Sequence, residues 1–584
     1  MTPALAAALE HHRAGRLMEA QAAAWTIVRA DPRSKPAWRL LGEVAMSLGQ
    51  PQAAFDFFGN AVDLDPQDWE VRIKIGQALL ALDRPIDAAT NFRLAALGDP
   101  SRAEAHRLLA DSLIRQGEHL PAAQALRRLL EIELHDVPAL LALGRILIES
   151  ERAREAVAPL EQAMLLEPDD PLIRVELGNA HAALGENELA RQRFDEALAL
   201  DPICAAAAAN IGNLLFAAND LAGALEWHER AHKAKPDDAR HINNRGVALK
   251  ELGRIDEADQ AFVQAIARDA DFAEAHWNRA TTLFLKDRWP EGFAEAEWRW
   301  KMKEFASQYR LPRMPVWDGS DLRGATILVL AEQGYGDSLQ FVRYLPKLAA
   351  KAAQVTFACD SRQVELVGRS FPSVRVVDQR NPPENADCQA PLLSLPHRLG
   401  HAVASTPYLK PDPQKVALWR DLLGEGVKVG IAWQGDPGHK ADQRRSFGLA
   451  ALLPLFEIPG LRFFSLQRGP ARRDLHSMSN PPRDLGDESD PLIGTDFDTS
   501  AAIVANLDLV ISADSAPAHL AGGLGRPVWM PINIVPDWRW GLSDERSFWY
   551  PSMTLFRQAR PNDWSEPVAR MRERLAGRRD DRFD

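Results

Sequence analysis

A period of 34 residues governs the first half of the chain. Prolines, most of them following an acidic residue, stand at Pro32, Pro66, Pro100, Pro168, Pro202 and Pro236, separated by 34 or twice 34, with Leu134 and Ala270 at the missing positions. In the same phase small residues recur as Gly42, Gly76, Ala110, Gly144, Gly178, Gly212, Gly246 and Ala280. A large residue follows the first seven of these at a fixed offset, as Phe58, Phe92, Leu126, Leu160, Phe194 and Phe262, with His228 the one departure. Small against large at constant spacing is what two antiparallel helices need to approach closely, and a repeat that stacks on its neighbours excludes a single globular core for this half.

This pattern resembles the tetratricopeptide repeats, in register over residues 1 to about 272. A further helical pair, about 273 to 306, keeps the period but loses the proline and carries Gly292 in a small position, as a terminal repeat does. The resemblance implies a right-handed superhelix whose concave groove binds protein segments. Asparagine occupies the same position of three consecutive units, Asn210, Asn244 and Asn278, with Asn179, Asn213 and Asn243 nearby. An amide ladder can bond both N–H and C=O of an extended peptide without reading its side chains. That arrangement resembles the asparagine ladder of the protein O-GlcNAc transferases; the competing reading is a solvated helix face.

After Trp317 short apolar runs alternate with amphipathic stretches. Strand candidates are 325–331, 354–359 and 374–378, then 428–433, 461–467, 507–512, 527–531 and 553–556, a pattern that predicts parallel doubly wound sheets. The stretch 410–427, with two prolines around a helical piece, divides two groups of strands. The predicted organisation is a repeat superhelix over 1–306, a first Rossmann-like lobe over 307–412 on the acceptor side, and a second over 413–584 on the nucleotide-sugar side, together a GT-B pair closed by a helix from Ser565.

Two motifs carry the chemistry. The segment 331–346, AEQGYGDSLQFVRYLP, falls where a strand gives way to a helix: Gly334 and Gly336 let the chain turn and bring N–H groups toward a ligand, and Asp337 stands at the helix N-terminus. A dinucleotide fingerprint would need a third glycine where Leu339 stands, and a plain N-cap is the structural alternative for Asp337. The segment 506–530 holds Asp514, then Ser515 and Ala516 opening a small-residue helix whose free N–H groups can receive a phosphate, with His519 one turn inside. Both segments resemble those of heptosyltransferase-like glycosyltransferases, and the order of parts is similar to O-GlcNAc transferases and to bacterial repeat-bearing glycosyltransferases, flagellin-modifying ones among them. The resemblance implies Asp337 as catalytic base, and Asp514, Ser515 and His519 around the donor phosphates.

Around these motifs, Lys440 and Arg444 in 430–446 can offset a diphosphate's charge and Gln434 can bond to it, while Gln467 ends another strand within reach of a base or ribose. Acidic pairs at Asp63/Asp65 and Asp269/Asp271 belong to repeat turns, and Asp498 reads as a helix cap, so no metal and no tightly bound cofactor is expected. Trp277, Trp289, Trp298, Trp300 and Trp317 suggest a dock of the repeats on the first lobe. A net charge of −12 argues against nucleic acid, three scattered cysteines point to a reducing compartment, and the absence of a leader or of about 20 apolar residues in a row predicts a soluble cytoplasmic chain without a membrane span. The expected function is transfer of a sugar from a nucleotide-activated donor to a protein Ser or Thr hydroxyl, with inversion and without metal. The rivals are a repeat scaffold whose lobes have lost catalysis and a transferase acting on lipid or polysaccharide.

Overall fold

The computed structural model describes residues 2–309, 311–401, 407–438 and 442–577, apart from the side chains of Gln443 and Arg444. Lys440 and the side chain of Arg444 therefore lie outside the described residues. By packing, the chain forms two compact units, Met1–Pro236 and Asp237–Asp584.

The first unit is a run of antiparallel helix pairs from Pro3–Arg13 to Leu221–Ala234. Its helices touch where the periodic small residues stand: a Cβ on Gly144 would meet Leu160 at 2.5 Å, and one on Gly212 would meet the ring of His228 at 2.6 Å, so the departing histidine fills the same gap as the phenylalanines. The acid at the repeat turn is architectural, as in Asp65 and Asp201, whose carboxylates accept the N–H groups of Gln67 at 3.2 Å and Ile203 at 3.1 Å.

The second unit begins with the last two helix pairs, Ala239–Glu251 with Ile255–Arg268, and Ala273–Leu285 with Trp289–Ala296. Two parallel sheets follow. The first contains β1 (Thr326–Leu330), β2 (Gln354–Cys359), β3 (Arg375–Asp378) and β4 (Cys388–Pro391), in the order β3-β2-β1-β4. The second contains β5 (Val427–Ala432), β6 (Leu461–Ser465), β7 (Arg483–Asp484), β8 (Leu509–Ser512), β9 (Val528–Ile532) and β10 (Met553–Arg557), in the order β10-β9-β8-β5-β6-β7. Each sheet starts in its middle and reverses direction across β1/β4 or β5/β8, the crevice where ligands bind in open α/β sheets. The eight expected strands are present within a few residues; β4 and β7 were not expected, because four residues ending in a proline and a two-residue strand carry too little pattern.

The sequence pattern puts the end of the helical region at 306, whereas packing divides the chain at 236. The cause is the junction. Trp289 and Phe293 are buried in one apolar core with Phe341 of the first sheet's helix and with Trp538 and Trp549 of the segment after β9. The dock expected against the first lobe therefore engages the second as well: Trp289 stacks on Phe548 at 5.1 Å and meets Trp549 edge-on at 5.3 Å. Asp498 is also not the cap it resembled. Asp496 caps the helix Phe497–Ala505, while Asp498, fully buried, pairs with Arg369 and with Lys415 at 2.9 Å. Among the described residues no helix is long and apolar enough to cross a membrane.

Candidate functional site

The chain leaves β1 through Ala331 and the buried Glu332, then passes Gln333, which holds φ at +62°, a left-handed conformation uncommon for any residue but glycine. Gly334 is the N-cap of the helix Tyr335–Phe341, and its N–H donates to Oδ2 of Asp337, the third helical residue, at 2.9 Å, so Asp337 is not the N-cap itself but bonds back to it. A Cβ on Gly336 would stand 2.7 Å from Cδ2 of His519. The two motifs thus meet: the first gives up a side chain so that the second motif's histidine can lie against its backbone.

Asp337 also faces Arg539, which the sequence reading did not single out. This guanidinium donates to Asp337, to Asp537 at 2.7 Å and to Gln340 Oε1 at 2.8 Å, and it lies 4.2 Å over the ring of Trp538. Burial opposes its charge, but Asp537, Asp337 and Asp514 hold the proton more firmly than usual. Arg539 therefore latches the segment after β9 to the helix after β1. Its signal was the dipeptide Trp538-Arg539 behind a strand end, legible only once β9 is placed beside the crevice.

A cleft of about 1280 Å³ opens at this seam, and Gly334, Gly336, Asp337, Gln434, Gln467, Asp514, Ser515, Ala516 and His519 all line it. Arg362, Arg445 and Arg468 supply cations to its wall. Asn244 and Asn278 are not among its lining residues, but Trp277 and Thr281 on the repeat helix Ala273–Leu285 are. The amides engage one another: Asn278 Nδ2 donates to Asn243 at 3.0 Å, and in the first unit Asn210 Nδ2 donates to Asn179 at 2.7 Å.

Gln467 lines the cleft, but its amide is engaged by backbone groups. Its Oε1 accepts the N–H groups of Trp433 and Gln434 at 2.9 Å, and its Nε2 donates to the carbonyls of Gln434 and Arg468 at 3.0 and 2.9 Å. All its bonding capacity clips the end of β5 to the end of β6. Gln434 Nε2 is likewise given to Asp442 at 3.0 Å.

Ser515 is the N-cap of the helix Ala516–Gly523, with Pro517 at its second position. Pro517 has no N–H, so the anion-binding capacity of this end rests on the residues from Ser515 to Ala516. His519 is buried; its Nδ1 lies 2.9 Å from the Tyr550 hydroxyl and its Nε2 3.9 Å from Asp514 Oδ1. Burial, then Arg539, Arg343 and Arg445, hold the imidazole well below its usual pKa. Burial and the neighbouring Asp537 push the Asp514 carboxyl up to about 6, against the pull of Arg539.

Junction residues tie together the ends of β1 and β4. Arg299 is 1% exposed and grips Glu332 with two bonds of 2.8 Å, while Glu332 accepts the Leu393 N–H beyond β4 at 2.9 Å.

Models of the tetratricopeptide repeat match residues 5–68, 141–202, 175–239 and 243–299, and residues 45–112. Protein FlbA of Caulobacter vibrioides is 26% identical over 501 residues, covering 80% of this chain and 83% of that protein. Among solved structures, YrrB, described as a TPR protein with an unusual peptide-binding site, is 17% identical, covers 32% of this chain and 95% of its own, and gives a TM-score of 0.30. A tetratricopeptide repeat protein from Parabacteroides merdae is 14% identical, covering 43% of this chain and 99% of its own at a TM-score of 0.37. The N-terminal region is built of tetratricopeptide repeats, joined to a region of parallel sheets and helices, and the chain has a homologue in Protein FlbA.

Proposed function

We propose that the cleft binds a nucleotide sugar and transfers its sugar to a Ser or Thr hydroxyl of a protein held by the repeats. The observation that carries this reading is the meeting of the 331–346 and 506–530 motifs on one cleft, at the strand ends where each parallel sheet reverses. Two such lobes around a cleft fit the GT-B architecture. The helix N-terminus at Ala516 with Arg445 and Arg468 on the wall would stabilise a leaving diphosphate without a metal, and direct displacement would invert the anomeric centre. The motif resemblance names Asp337 as the group that accepts the hydroxyl proton.

The repeats favour a protein acceptor over a glycan or lipid, and flagellin is the acceptor suggested by repeat-bearing glycosyltransferases of similar layout. Incubating the full chain with purified flagellin and a panel of UDP-, GDP-, dTDP- and ADP-sugars, followed by intact mass, tests this. Additions of one sugar mass support transfer. Flagellin bound by the repeats but unchanged in mass with every donor favours the scaffold, in which the lobes keep the fold without the chemistry.

A further inference from the structure

The charges of the cleft are unevenly shared between its walls. Arg362 follows β2, Arg445 lies beyond β5 and Arg468 follows β6, and acids such as Asp337 and Asp514 likewise stand after strand ends. The wall built by the end of the repeats is different. It consists of Trp277 and Thr281 on the helix Ala273–Leu285, and of Met302, Phe305, Gln308 and Tyr309 on and beside the short helix Lys303–Gln308. Among the described residues of this wall the one charged group is Arg299, and its guanidinium is engaged by Glu332, by Glu297 at 3.0 Å and by Ser394 at 2.9 Å.

Trp277, Met302, Phe305 and Tyr309 are half-buried and form an apolar shelf. The Phe305 ring meets Tyr309 at 4.7 Å and Trp300 edge-on at 5.0 Å, with the Arg299 guanidinium 5.8 Å from its centre. The shelf is fixed to the first motif at two points. Arg299 holds Glu332, the residue before Gln333, and the Tyr309 hydroxyl faces the Gln333 N–H. Burial, with the charges of Asp337 and Glu332 nearby, keeps that hydroxyl protonated, so the shelf ends close to Asp337 without adding a charge.

Such rings gain from an apolar side chain laid on them and lose from a charged one, which would give up water without finding a partner. A protein segment is the occupant this favours. Trp277 and Thr281 share their helix with Asn278, so the shelf continues the face of the repeats, and an extended chain whose hydroxyl lies at Asp337 carries its next two residues within about 7 Å. We propose that the shelf is an acceptor subsite for an uncharged, apolar side chain next to the modified Ser or Thr; what the bound segment is for rests on the transferase reading.

The test needs no donor. Short fluorescent peptides with one Ser, flanked on both sides by Leu, by Asp or by Lys, are titrated with the full chain and read by anisotropy. The Leu-flanked peptide should bind about tenfold more tightly than either charged one. Phe305→Asp should abolish that advantage and favour the Lys-flanked over the Asp-flanked peptide, an inversion that damage to the fold would not produce. No residue of Lys303–Gln308 is buried, so this variant should melt with the wild type. Tyr309→Asp should act in the same direction. Equal binding of the three peptides, binding of none, or a preference unchanged in both variants overturns the subsite. Displacement of the Leu-flanked peptide by maltotriose would give the rings to a sugar and overturn it too. The predicted preference in a chain that binds no nucleotide sugar supports the shelf while sinking the transferase reading.

Discussion

Asp514 leaves a mark on stability. Its carboxyl is raised from 3.8 to about 6 in the folded protein, so between those values the folded chain holds a proton that the unfolded chain has released. Stability from this group is therefore greatest at low pH, falls as pH rises toward 6, and stays reduced above it. Asp514→Asn removes that cost, and at pH 8 it should be more stable than the wild type by up to about 3 kcal/mol. The gain should shrink to nothing near pH 4, as read from denaturant melts of both proteins at several pH values. A gain that does not change with pH contradicts the burial of this group. Arg299 predicts the opposite sign: Arg299→Leu leaves Glu332 buried and unpaired, and should cost about 3–5 kcal/mol in the same melts, much of it recovered when Glu332 is also made Leu. These positions were unequally legible. Asp514 and His519 could be picked out because they follow a buried strand in a recognisable motif. Arg539 and Arg299 could not, because each owes its role to an acid far away in sequence, and nothing in the local text says which residue it will meet.

Among the elements, the helix Ala516–Gly523 bears most directly on donor binding. Ser515 has φ −157°, which proline cannot adopt, so replacement there would strain the turn. Ala516 is the first helical residue, where proline is well tolerated, and with Pro517 already lacking its N–H, Ala516→Pro removes a large share of what remains. Affinity for the nucleoside diphosphate should fall by about tenfold while the melting temperature changes little. Equal affinity would move the phosphates away from this helix. The repeat helices and most strands are readable because their periods repeat, whereas the backbone bonds of Gln467 are not: a polar residue at a strand end looks the same in the sequence whether its amide is left for a ligand or, as here, spent on the backbone of its neighbour. The asparagines show the same ambiguity, since Asn278 and Asn210 each spend an amide N–H on another asparagine, which the sequence does not reveal.

At the scale of the whole molecule, the division at 236 predicts how the chain can be cut. A fragment of residues 1–236 should remain helical and soluble, since repeats depend on their neighbours. A fragment of 1–306 would expose Trp289 and Phe293 and should bind a hydrophobic dye or associate; two fragments that behave alike would contradict the shared core. The 34-residue period could not reveal this, because it continues past the division and only the partners of its last aromatic residues change. The same packing gives the cleft a wall of repeat residues, Trp277 and Thr281, beside the motifs of both sheets. On the proposed function, this cleft takes a nucleotide-activated sugar. Calorimetric titration of the full chain with UDP-, GDP-, dTDP- and ADP-sugars tests this: saturable binding of at least one donor is expected, weakened in Ala516→Pro, and binding of none would contradict it.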